Sequence, residues 1–126
     1  MANMTLTNTL VDGDCSVGDE SSVTSGGHNI ESPGNTCGFD LAKDDRFEVT
    51  AEQLNLGPLE DNGGPTMTHA LLTEPTISVA IDWIPAEDCV DADGAPLTTD
   101  QRGEPRPVAI LGAESKCDVG AFELQP

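Results

Sequence analysis

The chain has 126 residues, and 5 Lys+Arg against 23 Asp+Glu give it a formal net charge of -18 at pH 7. A surface this acidic repels phosphate backbones and anionic lipids, so nucleic acid is excluded as a partner and binding to an anionic membrane surface is disfavoured. No stretch approaches the ~20 apolar residues of a transmembrane helix, which argues against membrane insertion, and Met1–Thr9 carries no secretion signal. Leu, Ile, Val and Phe supply only 27 residues, close to the lower limit for a highly charged chain that folds.

The first part of the chain predicts short β-strands separated by turns. Residues Met4–Val11 alternate apolar and small polar side chains, which is the period-2 pattern of a half-buried strand. Two more short strands are predicted at Ser22–Thr24 and His28–Ile30, with Gly26-Gly27 between them and the turn residues Pro33–Asn35 after them. Short strands with glycine-rich corners are compatible with a solenoid rung and with a β-sandwich.

From Asp40 onward the predicted elements are less regular. Thr50–Gln53 has the pattern of a capping box that opens a short helix, and Gly57-Pro58 is expected to end it. Thr76–Trp83 is the strongest strand prediction, with its odd-numbered apolar residues on one face. Further predictions are strands at Val108–Leu111 and Asp118–Leu124, and an acidic loop at Glu87–Arg106 that is held in place by Cys89.

Four cysteines raise the choice between disulfides and a metal site. They lack the close C-x-x-C pairs of zinc sites, and neither histidine lies at ligand spacing from a cysteine. Disulfides are therefore favoured over zinc, with four reduced thiols in a cytosolic protein as the alternative. Four cysteines allow three connectivities, of which the sequential one would put a disulfide in each half of the chain. The cysteines are Cys15, Cys37, Cys89 and Cys117.

Catalytic motifs are absent from the sequence, which predicts that the protein is not an enzyme. There is no G-x-S-x-G, H-E-x-x-H or phosphate-binding G-x-x-x-x-G-K pattern. Adjacent acidic residues are common, and we expect them to be solvated loop charges rather than acid/base pairs. These pairs are Asp44-Asp45, Glu60-Asp61 and Glu87-Asp88.

One acidic segment has a pattern typical of calcium loops. Asp91, Asp93 and Asp100 would occupy positions 3, 5 and 12 of an EF-hand loop. Position 1 would be Cys89, which is a soft ligand, and flanking helices are not predicted. These three aspartates are therefore candidates for weak Ca²⁺ binding, and no other cofactor is expected.

The two arginines near the C-terminus stand out because cations are rare in this chain. We expect Arg102 and Arg106 to form structural ion pairs that hold the C-terminal loop, with Asp100 and Asp118 as the candidate partners. Capture of an anionic ligand is disfavoured by the net charge of -18.

Several separated motifs together resemble a known family. They are Leu56–Leu72 (LGPLEDNGGPTMTHALL), Ala80–Asp82 (AID), Thr99–Pro107 (TDQRGEPRP) and Cys117–Glu123 (CDVGAFE), with Ser25–Ile30 (SGGHNI) and Cys37–Phe39 upstream. In this order they resemble the C-terminal region of bacterial parallel β-helix proteins that carry the choice-of-anchor Q domain. The match spans about Leu6 to Glu123.

The resemblance implies a mainly β fold that forms the end of a right-handed parallel β-helix. One domain, residues 1–126, would contain one to three rungs at 1–39 and a loop-rich capping region with one short helix at 40–126. The family is exported or attached to the cell surface, and this setting supports the pairs Cys15–Cys37 and Cys89–Cys117. No catalytic residues are defined for this region of the family.

The implied function is a non-catalytic structural or binding module, the cap of an adhesin-like protein that is secreted or held at the cell surface. A truncated stack exposes an unpaired strand edge, so we expect self-association through the N-terminal β edge at Met4–Val11 or coverage of this edge by the N-terminal residues. A glycan or another surface is a further partner class. The alternatives are a fragment of a carbohydrate-active β-helix enzyme and a short independent protein with an intracellular role.

Overall fold

A computed structural model describes residues 3–16 and 18–126 of the chain; Met1, Ala2 and Val17 lie outside the described residues. The described part contains short β-strands, one four-residue α-helix and two 3₁₀ turns, so the predicted mainly β class with one short helix is confirmed. The chain divides into two compact units, of which the first ends at Ala51 and the second begins at Glu52. The first unit thus extends past Phe39, where the predicted rung region ends.

Parallel strand pairs form the first unit. Its strands are β1 (Asn3–Thr7), β2 (Leu10–Asp12), β3 (Ser22–Gly27) and β4 (Ile30–Ser32). Strand β1 pairs in parallel with β3, and β2 pairs in parallel with β4. The single strand predicted at Met4–Val11 is interrupted, because Asn8 has a positive φ of 55° and turns the backbone between β1 and β2.

The same corner recurs three times in the first unit. Asn8, His28 and Asp44 all lie in the left-handed region, with φ values of 55°, 57° and 61°. The N–H of Asn8 donates to the carbonyl of Gly27 at 3.0 Å, and the N–H of His28 donates to the carbonyl of Lys43 at 3.1 Å. The corner of each segment is therefore bonded to the residue that precedes the corner of the next segment.

The residue that follows each of the first two corners is also hydrogen-bonded to the equivalent residue of the next segment. The N–H of Thr9 donates to the side-chain oxygen of Asn29, and the N–H of Asn29 donates to the carboxylate of Asp45, both at 2.9 Å. One position further, Ile30 pairs with Leu10 in the β2–β4 ladder and forms a parallel bridge with Arg46. Three segments of the chain thus lie side by side with equivalent residues 20 and then 16 positions apart.

Asp45 accepts four hydrogen bonds in the interior of this unit. Its donors are the hydroxyl of Ser25 at 2.6 Å, the backbone and side-chain N–H groups of Asn29 at 2.9 and 3.1 Å, and the N–H of Asp40 at 2.9 Å. Asp45 is 1% exposed. The prediction that Asp45 is a solvated loop charge is wrong, because the corner at Asp44 turns its carboxylate inward toward donors that have no strand partner.

Antiparallel pairs replace parallel ones in the second unit. Strand β5 (Leu56–Glu60) pairs with β6 (Thr68–Leu71), and β7 (Ile84–Pro85) pairs with β8 (Lys116–Cys117), both antiparallel. Helix α1 (Ala51–Leu54) is a single turn. It ends at Leu54 and is followed by Asn55, whose φ is 44°, whereas the predicted terminator Gly57-Pro58 lies within β5.

Three strand predictions in the second unit are wrong. Thr76–Trp83 forms bends and a turn, in which Ile77 is 46% exposed while its neighbour Ser78 is 1% exposed. The segment follows local hydrogen bonds instead of a ladder, since the N–H of Ile81 donates to the carbonyl of Ser78. Val108–Leu111 contributes one isolated bridge to Lys116, and Asp118–Leu124 contains no strand.

Each unit contains one disulfide. Cys15 is bonded to Cys37, and Cys89 is bonded to Cys117, so the sequential connectivity is confirmed. The bridges close loops with sequence separations of 22 and 28 residues, for which the chain-entropy model gives a stabilisation of about 3.5 kcal/mol each. Cys89 and Cys117 are almost completely buried, where they join the acidic loop to β8.

We expect Asp45→Asn to destabilise the protein by about 2–3 kcal/mol. All the groups that face the Asp45 carboxylate donate hydrogen bonds, so an amide nitrogen in that place would oppose donor to donor. The matched control is Asp44→Asn, which removes the same charge from a side chain that is 69% exposed and should change the free energy of unfolding by less than about 0.5 kcal/mol. Urea denaturation of both variants measures the difference, and equal effects would contradict the assigned role of Asp45.

Candidate functional site

Three carboxylates meet in the second unit. Asp82, Asp118 and Glu123 each contribute one oxygen to a group in which all three oxygens lie within 4.8 Å of one another. Asp118 and Glu123 are fully buried, and Asp82 is half-buried. Among the described residues this is the one group of three or more acidic, histidine or cysteine side chains with such geometry.

The β7–β8 pair brings two of these residues together. Ile84 is opposite Cys117 in the antiparallel register, so the residues just before β7 lie beside the residue just after β8. Asp82 therefore lies close to Asp118, and its N–H donates to Asp118 Oδ1 at 2.8 Å. A positive φ of 55° at Asp82 shapes this turn.

Reciprocal hydrogen bonds bring Glu123 to the same place. The N–H of Asp118 donates to Glu123 Oε1 at 2.9 Å, and the N–H of Leu124 donates to Asp118 Oδ2 at 2.7 Å. These backbone groups therefore bond to carboxylates instead of to a neighbouring strand. This is the physical reason why the strand predicted at Asp118–Leu124 does not form.

One cation lies against the cluster. Arg106 Nε is 3.0 Å from Glu123 Oε1, and Arg106 Nη2 donates to the carbonyl of Gly120 at 3.1 Å. Both side chains of this ion pair are buried. When every group is ionised, the three carboxylates and this guanidinium carry a net charge of -2.

Two oxygens of the cluster are buried and accept no hydrogen bond from the described residues. They are Asp82 Oδ1 and Glu123 Oε2. The other oxygen of Asp82 accepts from the N–H groups of Ile110 and Leu111 at 3.2 and 2.7 Å. A buried acceptor without a donor is costly, so these two positions are where the cluster lacks a positive partner.

Burial and mutual repulsion perturb the acidity of the cluster. Burial raises the pKa of Asp118 to about 6, and the nearby charge of Asp82 acts in the same direction against hydrogen bonds from the N–H groups of Leu124 and Asp82. Burial also raises the pKa of Glu123 to about 7, with the charges of Asp118 and Asp82 adding to the effect. The charge of Arg106 lowers both values without offsetting burial.

Asp100 lies next to the cluster, and its hydrogen bonds outweigh the effect of burial on its pKa. It accepts the N–H of Glu123 at 2.9 Å and the side chain of Arg102 at 2.7 and 2.9 Å. Burial acts to raise the pKa of Asp100, but these bonds, together with those from the N–H groups of Arg102 and Glu104, lower it below its usual value. Arg102 also stacks over the ring of Phe122, with 3.9 Å from its guanidinium carbon to the ring centroid.

The predicted ion pairs are present in part. Arg102 pairs with Asp100, as expected, with Nη2 2.7 Å from Oδ2. Arg106 pairs with Glu123, whereas Asp118 binds backbone N–H groups. The candidate partner Asp118 is therefore corrected to Glu123, whose side chain reaches Arg106 because the turn after Asp118 directs it inward.

The candidate calcium loop does not assemble a ligand set. Asp91 Oδ1 accepts the N–H groups of Asp93 and Ala95 at 2.9 and 3.0 Å, which makes a local turn. Asp100 is committed to Arg102 and to backbone donors. Within the described residues, Asp91, Asp93 and Asp100 do not bring three carboxylate oxygens together.

Sequence reasoning did not identify Asp82 and Glu123 as site residues. A usable signal was nevertheless present, because three of the separated motifs supply the cluster and its cations. Ala80–Asp82 ends at one carboxylate of the cluster, Cys117–Glu123 contains the other two, and Thr99–Pro107 supplies both arginines. Charged residues that recur at the ends of separated motifs are candidates for one shared site.

A cavity of about 330 Å³ opens beside the cluster. Asp82 lines it together with Leu111, Glu114 and Lys116. Asp118 and Glu123 do not line this cavity and are fully buried.

Comparison with protein-family models, with curated proteins and with solved structures finds no match to the chain. Among the described residues, every helix is too short and too polar to cross a membrane. The two disulfides are compatible with an extracellular or secreted protein.

In chelator-containing buffer, we expect the free energy of unfolding to increase as the pH falls from 8 to 5. The pKa values of Asp118 and Glu123 are raised to about 6 and about 7 in the folded protein. Folded molecules therefore bind more protons than unfolded ones between about pH 4 and pH 7, and stability is lost as the pH rises through this window. Urea denaturation at several pH values measures the slope.

The control for this pH dependence is Glu123→Gln, which cannot titrate at position 123. It should give a shallower slope than the wild-type protein between pH 5 and pH 8. An unchanged slope would show that the raised pKa of Glu123 does not contribute.

Proposed function

We propose that the chain is a non-catalytic structural module that ends a stack of parallel β-strand rungs, as its resemblance to choice-of-anchor Q proteins implies. The observation that carries the proposal is the threefold repetition of one corner at Asn8, His28 and Asp44. Equivalent corners with equivalent hydrogen bonds are what a solenoid requires, since each rung binds only its neighbours.

The side chains that follow these corners support the stacked arrangement in addition to the backbone hydrogen bonds. Asn29 caps the N–H of Thr9 in the preceding segment, and Asp45 caps the N–H of Asn29 in the same way. Each segment thus depends on the next one to satisfy a backbone donor that has no other strand partner. This dependence favours an ordered stack over three independent turns.

Different pairing in the second unit supports a terminal role. The strand pairs described there are antiparallel, so the parallel pattern of the first unit is not repeated in that part of the chain. A loop-rich segment held by a disulfide and by buried carboxylates does not offer a further long strand for stacking. Such a segment suits a cap better than the middle of a solenoid.

Strand β1 forms an open edge of the first unit within the described residues. Among the described residues, β1 pairs with β3 and with no other strand. Its residue Met4 is 54% exposed. Unpaired strand edges with exposed apolar residues are sites where a further strand adds, so we propose that this edge mediates self-association or continuation of the stack.

We expect Met4→Lys to abolish self-association through this edge. A charge on an edge strand opposes the addition of another strand. Size-exclusion chromatography with multi-angle light scattering, over a range of protein concentrations, should show wild-type oligomers and a monomeric variant.

The matched control is Met67→Lys, because Met67 is 55% exposed and lies outside the described strands. This variant should associate like the wild-type protein. A wild-type protein that is monomeric at every concentration would contradict the proposed edge, and so would equal effects of the two lysines.

Export is the second element of the proposal, and the paired cysteines support it. Protein isolated from its native host and denatured in the presence of a thiol reagent should contain no free thiols, because oxidised cysteines persist outside the reducing cytosol. Reduction before labelling is the control, and it should yield four thiols per chain. Four free thiols without reduction would contradict export and favour an intracellular protein.

A further inference from the structure

Three carboxylates in a buried cluster repel one another when all of them are ionised. Asp82, Asp118 and Glu123 hold their oxygens within 4.8 Å of one another, where like charges repel strongly in a medium of reduced polarity. Arg106 offsets one of the three charges from its position beside Glu123 Oε1. The remaining net charge of -2 equals the charge that one divalent cation neutralises.

The oxygens without hydrogen-bond donors point to a ligand rather than to a closed network. Glu123 is fully buried, and its Oε1 already accepts the N–H of Asp118. Its Oε2 has no donor among the described residues, and neither has Asp82 Oδ1. Each carboxylate of the cluster is therefore held by backbone N–H groups while acceptor capacity is left inside the cluster.

The geometry agrees with a cation between one oxygen of each of the three carboxylates. Calcium–oxygen distances are about 2.3–2.6 Å, so two oxygens that bind one Ca²⁺ are at most about 5 Å apart. The 4.8 Å limit within the cluster meets this condition. The donor set consists of carboxylates alone. Carboxylate oxygens suit hard cations such as Ca²⁺ better than they suit the softer transition metals.

We propose that Asp82, Asp118 and Glu123 form a buried Ca²⁺ site that joins the C-terminal segment to the turn before β7. Of the three residues, Asp82 also lines the cavity of about 330 Å³. Ca²⁺ is favoured over Mg²⁺ because it accepts irregular coordination, whereas Mg²⁺ requires a near-ideal octahedron. This inference is independent of the proposed capping function.

The first experiment titrates Ca²⁺ into the metal-stripped full chain and records heat and thermal unfolding. We expect one binding event per chain and a rise in Tm of about 5–10 °C at saturation. Asp82→Asn and Glu123→Gln should each lose the calcium-dependent rise. Both variants should fold and match or exceed the metal-free wild-type Tm, because an amide nitrogen replaces an oxygen that repels its neighbours.

The matched control is Asp93→Asn, which makes the same chemical change in the acidic loop that contains Asp91. It should keep both the heat of binding and the full rise in Tm. Absence of a calcium effect in the wild-type protein would overturn the proposal. A calcium effect that is lost in Asp93→Asn but kept in Glu123→Gln would also overturn it.

The second experiment uses Tb³⁺, which replaces Ca²⁺ at oxygen sites and emits when a nearby tryptophan is excited. Trp83 is the only tryptophan in the chain, and it directly follows the ligand Asp82. We expect Tb³⁺ emission that excess Ca²⁺ suppresses and that Glu123→Gln abolishes. Trp83→Phe should lose the emission yet keep the calcium-dependent Tm, and emission that persists in Glu123→Gln would count against the site.

Discussion

Hydrogen bonds from backbone N–H groups to buried carboxylates are the interaction on which both units depend. Much of this chain runs in corners and loops, where the N–H groups have no strand partner and would be costly if left unsatisfied. Buried acidic side chains accept them: Asp45 takes those of Asn29 and Asp40, and Glu31 takes those of Thr36 and Cys37. In the second unit Asp100, Asp118 and Glu123 do the same. Each of these five carboxylates is at most 7% exposed.

This interaction changes the meaning of the acidic composition. A net charge of -18 suggests a chain whose acids all lie in solvent, yet several of them occupy the interior where a larger protein would have apolar side chains. A buried charge is tolerated only when its hydrogen bonds and ion pairs are nearly complete. Asp100 meets this condition and its pKa is lowered, whereas Glu123 retains an unbonded oxygen and its pKa is raised to about 7. In the second unit the fully bonded carboxylate of Asp100 thus accepts the N–H of Glu123, whose own carboxylate keeps one oxygen unbonded.

The sequence predicted those features that depend on local pattern, and it favoured disulfides over a zinc site. Alternation at Met4–Val11 located β1 and β2, and the absence of metal spacing favoured the disulfides that are present. The corner at Asn8 escaped detection because a non-glycine residue with positive φ leaves no clear mark in a strand pattern. Thr76–Trp83 failed because alternation of apolar residues requires a partner strand, and hydrogen bonds within the turn replace that partner. Glu123 was missed because its role arises from a contact with Asp118 and Arg106, which no spacing rule describes.

In both units polar side chains accept hydrogen bonds from backbone N–H groups, but the consequences differ. In the first, one polar residue per segment accepts the N–H of the preceding segment, so Asn29 and Asp45 form a directional ladder that adds one acceptor with each repeat. In the second, Glu123 Oε1 accepts the N–H of Asp118, and Asp118 Oδ2 accepts the N–H of Leu124. Both bonds lie within one short segment, so neither is available to a further repeat. A ladder can be extended by another segment of the same kind, whereas the cluster keeps two acceptor oxygens without a donor among the described residues, which a bound cation would satisfy. That difference is the physical basis of the two proposals, which are stacking for the first unit and cation binding for the second.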